Sequence, residues 1–368
     1  MTELFKPVNI GKLELKNRVV RSATWDGAAD DKGAVTDSSL ELYRELARGG
    51  IGLIVSGHAF VSSHGQATPS QYGIHTDDMI PGLRKLTEAV HREGSKIAVQ
   101  ITHCGINSLH LRRQGLPVHV VSGKDGVKGP QQEMKDGDVE ELVNDFAAAA
   151  GRAVEAGFDA VQLHGAHGYL MSQFLSPLFH SRSDNWGGIL ENRSRFHLEV
   201  IERVRKTVGE DYPLFIKFGV QDDEEGGLSL DEGIKTARAM VDKGLDAIEV
   251  SAGVGAGRAV PRKSEGDPEE TPYRKRAAVL KKAISVPVIL VAGIRHLETA
   301  EDILDSGDAD LISLCRPFIR QPDLLLLWQR GEDAPATCIS CNKCMPGSGL
   351  VLSCGEDRRL REEAGSVN

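Results

Sequence analysis

The amino-acid sequence predicts an α/β protein, a single (β/α)8 TIM barrel with a short cysteine-rich appendage at its C-terminal end. Two observations predict it. One phrase recurs, a helix, a glycine, one or two residues and a short apolar strand. It appears as Glu155-Ala156-Gly157-Phe158-Asp159-Ala160-Val161, Asp242-Lys243-Gly244-Leu245-Asp246-Ala247-Ile248 and Asp305-Ser306-Gly307-Asp308-Ala309-Asp310-Leu311, with a looser copy at Ala47-Arg48-Gly49-Gly50-Ile51-Gly52-Leu53-Ile54. Glycine there takes the left-handed position that ends a helix, and the strand follows almost at once. Four further strands lie between these, which brings the number to eight. All are apolar throughout rather than alternating, as parallel strands covered on both faces require.

In chain order the other four are Arg18-Val19-Val20, Lys96-Ile97-Ala98-Val99, Leu214-Phe215-Ile216-Lys217-Phe218 and Val286-Pro287-Val288-Ile289-Leu290-Val291. Nearly every strand is followed by a helical pattern. In the helix before Gly157, Leu142, Val143, Phe146, Ala147, Ala150, Ala153 and Val154 recur at helical spacing, and Asp138 with Glu141 forms a capping-box signature at its start. Two connections, residues 106–137 and 252–275, are long and polar. They are expected on the catalytic face, where they shape substrate entry. Residues 1–330 are read as the barrel and 331–368 as an extension packed on it.

The bulk properties exclude several classes. With 368 residues, 40% hydrophobic and 26% charged, the chain has the composition of a soluble globular protein. A net charge of −9 argues against nucleic acid or an anionic membrane as a default partner. No apolar run approaches the roughly 18 residues of a membrane span, and Met1-Thr2-Glu3-Leu4-Phe5-Lys6-Pro7 lacks the apolar centre of a signal peptide. A cytoplasmic protein is expected, and a homo-oligomer is compatible with this reading. Cys104 and Cys315 stand alone, whereas Cys338, Cys341, Cys344 and Cys354 crowd together. That crowding reads as a local metal site rather than a disulfide framework. Four thiolates in a Cys-x2-Cys-x2-Cys-x9-Cys loop suit a [4Fe–4S] cluster, with zinc as the alternative.

Candidate chemistry lies where strands end, because barrel enzymes work at that face. The most informative stretch is His164-Gly165-Ala166-His167-Gly168-Tyr169, directly after Ala160-Val161-Gln162-Leu163. Two imidazoles and a phenol so closely spaced are hard to assign to packing. As metal ligands, His164 and His167 would instead belong to a hydrolase or lyase. The other strand ends carry Ser22-Ala23-Thr24-Trp25, Ser56-Gly57, Gln100-Ile101-Thr102-His103, Lys217, Ala292-Gly293-Ile294-Arg295 and Cys315-Arg316-Pro317.

Asn17-Arg18, the stretch from His164 through Leu175-Ser176-Pro177, and Asn185-Trp186-Gly187-Gly188-Ile189-Leu190-Glu191-Asn192-Arg193 closely resemble the old yellow enzyme family of flavin oxidoreductases, over about residues 3–330. Within it the chain looks most like the branch containing 2,4-dienoyl-CoA reductase and trimethylamine dehydrogenase. The resemblance implies a barrel holding FMN non-covalently. Gln100 and Lys217 match positions that meet the flavin pyrimidine, Ala23, Thr24 and Gly57 match positions beside the ring, and Gly293, Cys315 and Arg316 match the phosphate end. Trp25 stands where many relatives carry a flavin-tuning cysteine or threonine. His164 and His167 are then expected to grip a substrate carbonyl oxygen while Tyr169 gives a proton to the α-carbon. The implied reaction is reduction of an α,β-unsaturated carbonyl or enoyl thioester. An amine- or alcohol-type dehydrogenase feeding electrons through the iron–sulfur cluster to a partner protein is the runner-up. Dienoyl-CoA reductases use a further histidine near the sixth strand end, where this chain has Ser251-Ala252-Gly253-Val254-Gly255-Ala256-Gly257-Arg258, which weakens the case for a dienoyl-CoA substrate. No Gly-x-Gly-x-x-Gly fingerprint follows a strand and the sequence ends at Asn368. Electrons are therefore expected from NAD(P)H over the FMN itself, or from a redox partner.

Overall fold

The computed structural model describes residues 2–123, 127–179, 181–254, 271–344 and 351–365. Eight parallel strands form the barrel: β1 (Val19–Arg21), β2 (Leu53–Val55), β3 (Lys96–Thr102), β4 (Ala160–Gly165), β5 (Leu214–Gly219), β6 (Ala247–Ser251), β7 (Val288–Val291) and β8 (Leu311–Leu314). Each pairs with its sequence neighbour, and β8 pairs back onto β1 through Ser313 and Val20, which closes the ring. The helices that follow the strands are α1 (Asp37–Arg48), α2 (Ile80–His91), α3 (Asp136–Glu155), α4 (Leu190–Val208), α5 (Leu230–Asp242), α6 (Arg274–Lys281), α7 (Leu297–Asp305) and α8 (Leu324–Gln329). The barrel expected from the sequence is the barrel observed. The recurring glycines end helices as expected, with φ of 82° at Gly157 and 101° at Gly244.

Two local expectations need correction. Helix α3 starts at Asp136, so Asp138 is its third residue and not its cap; Asp138 Oδ2 accepts the Lys135 backbone N–H at 2.8 Å. Both Asp136 and Asp138 then sit in the first turn, where the helix dipole favours negative charge. The connection over 106–137 is also less irregular than its polarity implies. It holds a short helix, Leu109–Arg113, and the parallel pair Val118–Val120 and Gln131–Glu133, built over a satellite core of Ile106, Leu111, Val118 and Val120. Most of the 252–275 connection, residues 255–270, lies outside the described residues.

Side chains alternate across a strand, so every second residue points into the barrel. The lower inward layer is apolar: Val20, Leu53, Ala98, Ala160, Phe215, Ala247, Ile289 and Leu311. A hairpin of Val8–Ile10 and Leu13–Leu15 joins this layer through Ile10, Leu13 and Leu15. Two residues further along, six of the eight strands turn polar, with Ser22, Gln100, Gln162, Lys217, Glu249 and Ser313 all buried, while β2 and β7 carry Val55 and Val291 there. Thr102, His164 and Ser251 follow one step higher. Residues pointing outward, such as Val161, Leu163 and Ile216, pack under the helices instead.

The segment after α8 returns to the barrel. Ala336 N–H donates to the Arg295 carbonyl at 2.8 Å, Leu352 N–H to the Asp26 carbonyl at 2.7 Å, and Arg320 pairs with Asp357 at 3.0 Å. Among the described residues no helix is long and apolar enough to cross a membrane. Phe215 has no exposure and fills the centre of the lower layer. Phe215→Ala is expected to cost about 3–5 kcal/mol of stability through the cavity it leaves. Urea unfolding followed by circular dichroism measures this.

Candidate active site at the mouth of the barrel

The polar layer is one hydrogen-bonded network. Lys217 Nζ donates to Ser22 Oγ at 2.6 Å and lies 3.4 Å from Glu249 Oε1. Ser22 Oγ and Ser313 Oγ donate to the same carboxylate oxygen at 2.7 and 2.8 Å. Gln162 Nε2 donates to Glu249 Oε2 at 2.6 Å, and Gln100 Nε2 donates to Gln162 Oε1 at 2.7 Å. Backbone register makes this possible, since Lys217 faces His164 on one neighbouring strand and Glu249 on the other.

Above the layer, His164, His167 and Tyr169 come together as the sequence predicts. The His164 and Tyr169 rings stack at 4.6 Å, and the His164 and His167 rings meet edge-on at 5.3 Å. His167 sits at φ 60°, an uncommon left-handed conformation for a side-chain-bearing residue. Its Nε2 is 2.7 Å from Ser251 Oγ, which ties the turn to the end of β6. His164 is buried and its Nδ1 has no partner among the described residues. Burial holds the His164 imidazole well below the usual histidine range, helped by the neighbouring His167. His167 opens to the mouth, yet the protein packed around it and then the Lys217 charge also push it down. Both rings are neutral at pH 7. Burial moves the Tyr169 phenol the other way, above its ordinary value.

His58 completes the group and has no counterpart among the residues singled out from the sequence. Its Nε2 is 3.4 Å from Tyr169 Oη. Its Nδ1 is 2.7 Å from Gln71 Nε2, and the Gln71 oxygen is already held by the Ala67 N–H at 2.7 Å. Gln71 therefore donates to Nδ1, which leaves the proton of the neutral ring on Nε2, facing the phenol oxygen. Burial keeps the ring neutral by lowering its pKa to about 4. The signal that could have found His58 was its place directly after Gly57 at a strand end.

The first strand end places Ala23 against the inner apolar cluster, and Thr24 Oγ1 2.6 Å from Cys315 Sγ. Trp25 is half-buried rather than a core residue, and its indole N–H is buried without a partner among the described residues. Gly57 sits tightly: an added Cβ would lie 3.1 Å from the Thr24 carbonyl and 3.0 Å from Asp26 Oδ2. Gly293, Arg295, Cys315, Arg316 and Ser340 line one pocket between the ends of β7 and β8. Ala292 and Gly293 enter it at φ 88° and 83°, and for alanine that geometry is strained by about 1–3 kcal/mol. Cys338, Cys341, Cys344 and Cys354 line a second pocket, again with Arg316 and Ser340, so the two pockets share a wall. Burial raises the Cys338 thiol, and raises Cys344 to about 11. Among the described residues no three or more His, Cys, Asp or Glu side chains converge to hold a single metal ion.

Fold and mouth together define a TIM barrel whose chemistry sits at the C-terminal ends of its strands. A profile of the NADH:flavin oxidoreductase / NADH oxidase family matches residues 3–333. An NADH oxidase from Thermoanaerobacter brockii is 36% identical over 360 residues, covering 95% of this chain and 55% of the relative. In structure the chain is similar to a complex of 2-naphthoyl-CoA reductase with 2-naphthoyl-CoA, at a TM-score of 0.87 and 30% identity, covering 93% of this chain and 54% of that one. It is also similar to an old yellow enzyme homologue from Zymomonas mobilis, at a TM-score of 0.77 and 28% identity, covering 91% and 94%. The chain thus spans about half the length of the oxidase and of the naphthoyl-CoA reductase. It belongs to the NADH:flavin oxidoreductase / NADH oxidase family, as its motifs imply.

Burial depresses His58 to about 4 and His103 and His197 to about 3. In the unfolded chain each would titrate near 6.5, roughly the ordinary histidine value. Their contribution to stability is therefore complete above that pH and is lost as pH falls from there toward the depressed values. The slope approaches about 1.4 kcal/mol per pH unit for each ring. Among the described residues neither His197 nitrogen has a partner, and the ring lies 6.3 Å from that of Phe218. Between pH 7 and 5 the urea midpoint should fall, and His197→Phe should flatten that fall.

Proposed function

We propose that this protein is an FMN-dependent NAD(P)H oxidoreductase of the old yellow enzyme type that reduces the C=C bond of an α,β-unsaturated carbonyl or enoyl thioester. The observation that carries the reading is the gathering of His164, His167 and Tyr169 directly above a buried layer containing Lys217. The residues present fit a flavin. Among the described residues His164 Nδ1, Trp25 Nε1 and Thr102 Oγ1 are buried polar atoms without partners, which a ligand lying in the mouth would satisfy. Gln100 and Lys217 would meet its pyrimidine edge, with Ala23, Thr24, Trp25 and Gly57 beside the ring. Gly293, Cys315 and Arg316 would hold its phosphate, in the pocket after the seventh and eighth strands where barrels commonly bind one. When bound, the flavin supplies a hydride for the β-carbon, replenished from NAD(P)H.

The chain's own groups do the rest. His164 and His167 are neutral donors for the carbonyl oxygen, where negative charge grows as the double bond is reduced. Tyr169 keeps its proton at neutral pH because burial raises the phenol, and it delivers that proton to the α-carbon. His58 Nε2–H donates to the phenol oxygen, which turns the phenolic hydrogen toward the substrate. The name of the naphthoyl-CoA reductase supports a thioester among the substrates.

One observation favours the oxidative alternative, an amine- or alcohol-type dehydrogenase passing electrons to a protein acceptor. The four-cysteine pocket abuts the phosphate pocket through Arg316 and Ser340. Zinc would need four sulfurs about 2.3 Å from one ion, whereas a [4Fe–4S] cluster gives each thiolate its own iron.

Anaerobically purified protein should release FMN on heating and turn over simple enones with NAD(P)H; a colourless protein would overturn the reading. Tyr169→Phe should slow alkene reduction by about 10²–10⁴-fold and leave flavin reduction by NAD(P)H unchanged. Equal loss in both half-reactions would contradict the proton-donor role. Replacing Cys338 with Ser should remove iron and broad visible absorbance but leave the flavin bands. Zinc in the wild-type protein by metal analysis would exclude the cluster. An EPR signal from a reduced cluster after adding an amine, without NAD(P)H, would favour the oxidative direction.

A further inference from the structure

We propose that Glu249 sets the hydrogen-bond polarity of the cofactor site, orienting two glutamines in series so that Gln100 offers a carbonyl oxygen to the N3–H of the flavin. The inference rests on the FMN reading above and adds a residue that neither the motif reading nor the family match assigns. Glu249 has no exposure at all and lies in the middle of β6. Every atom that contacts its carboxylate is a donor: Ser22 Oγ, Ser313 Oγ, Gln162 Nε2 and Lys217 Nζ.

The direction of each bond then follows from two groups that have no choice. A carboxylate only accepts, and an ammonium only donates. Ser22 must therefore accept from Lys217 and pass its own hydrogen to Glu249. On the other side, Gln162 must turn its NH2 to Glu249 at 2.6 Å, so its carbonyl faces Gln100. Gln100 must answer with its NH2, at 2.7 Å, and its own oxygen is left outside the relay. The pyrimidine edge of a flavin presents two carbonyl oxygens around a single N–H. An acceptor at Gln100 can pair there only with N3–H. The carboxylate thus acts on the cofactor through two amides without touching it.

Glu249 is a positioning residue in this account, and a neutral group at 249 removes the constraint. Glutamine there both donates and accepts, so the Gln162 and Gln100 amides could run either way. The test uses apo-protein, with FMN and N3-methyl-FMN as probes and flavin fluorescence quenching to give dissociation constants. The N3-methyl analogue lacks the N–H, so wild-type protein should bind it at least about ten-fold more weakly than FMN, the loss of one buried hydrogen bond. In Glu249→Gln the preference for FMN should shrink to about three-fold or less, because Gln100 can reverse. Gln162→Met cuts the relay but keeps the Lys217–Glu249 pair, and should shrink the preference in the same way. It also carries the test if Glu249→Gln does not fold. An unchanged preference in a folded variant would overturn the polarity role while leaving FMN binding intact. Failure of wild-type apo-protein to bind FMN at all would instead overturn the flavin reading itself.

Discussion

Lys217 and Glu249 face each other as register partners on adjacent strands, and neither charge can be taken inside a closed barrel alone. Their presence one layer above Phe215, Ala247 and the other inward apolar residues dictates what the remaining strands must supply. Two serines and two glutamines satisfy the carboxylate and extend its hydrogen bonds across the interior. A packed apolar floor below makes that arrangement stiff, because displacing one member strands a buried partner at the cost of its full desolvation. The lower half of the barrel is thus an apolar packing element and the upper half a polar network, and the change from one to the other comes two residues up on six of the eight strands.

Much of this organisation was legible in the sequence, for a physical reason. Strands covered on both faces run mostly apolar, and a helix that stops and feeds a strand within a few residues favours glycine, so the eight strands and their order announce themselves. The gathering of His164, His167 and Tyr169 was legible because all three lie within six residues of one chain. His58 was harder to find, since its contact with Tyr169 spans 111 residues and its local mark is no more than a place after Gly57 at a strand end. Glu249 was available in principle. A lone acid inside Ala247-Ile248-Glu249-Val250 is as improbable without a partner as Lys217 within its own apolar strand. The start of α3 was misjudged because Asp136, Asp138 and Glu141 all suit a helix beginning, and spacing alone does not rank them. The 106–137 segment hid its satellite core because its four apolar anchors are spread thinly among polar residues.

Arg316 and Ser340 line both the pocket after β7 and β8 and the pocket of the four cysteines. Backbone contacts of Ala336 with Arg295, and of Leu352 with Asp26, hold the segment carrying those cysteines against strand ends that belong to the barrel mouth. The two pockets are thus built on a common wall.

The groups in the mouth are kept neutral by the same burial that orders them. Imidazoles forced below their usual range and a phenol forced above it donate hydrogen bonds without carrying charge of their own. Around Lys217 this matters, because an imidazolium at His164 would stand at its register partner's position, cation against cation. Neutral donors can instead respond to charge that appears on a ligand, and in a site screened from water that response is strongest where the charge develops. Desolvation, the penalty that makes a buried charge costly, is here what keeps these donors neutral.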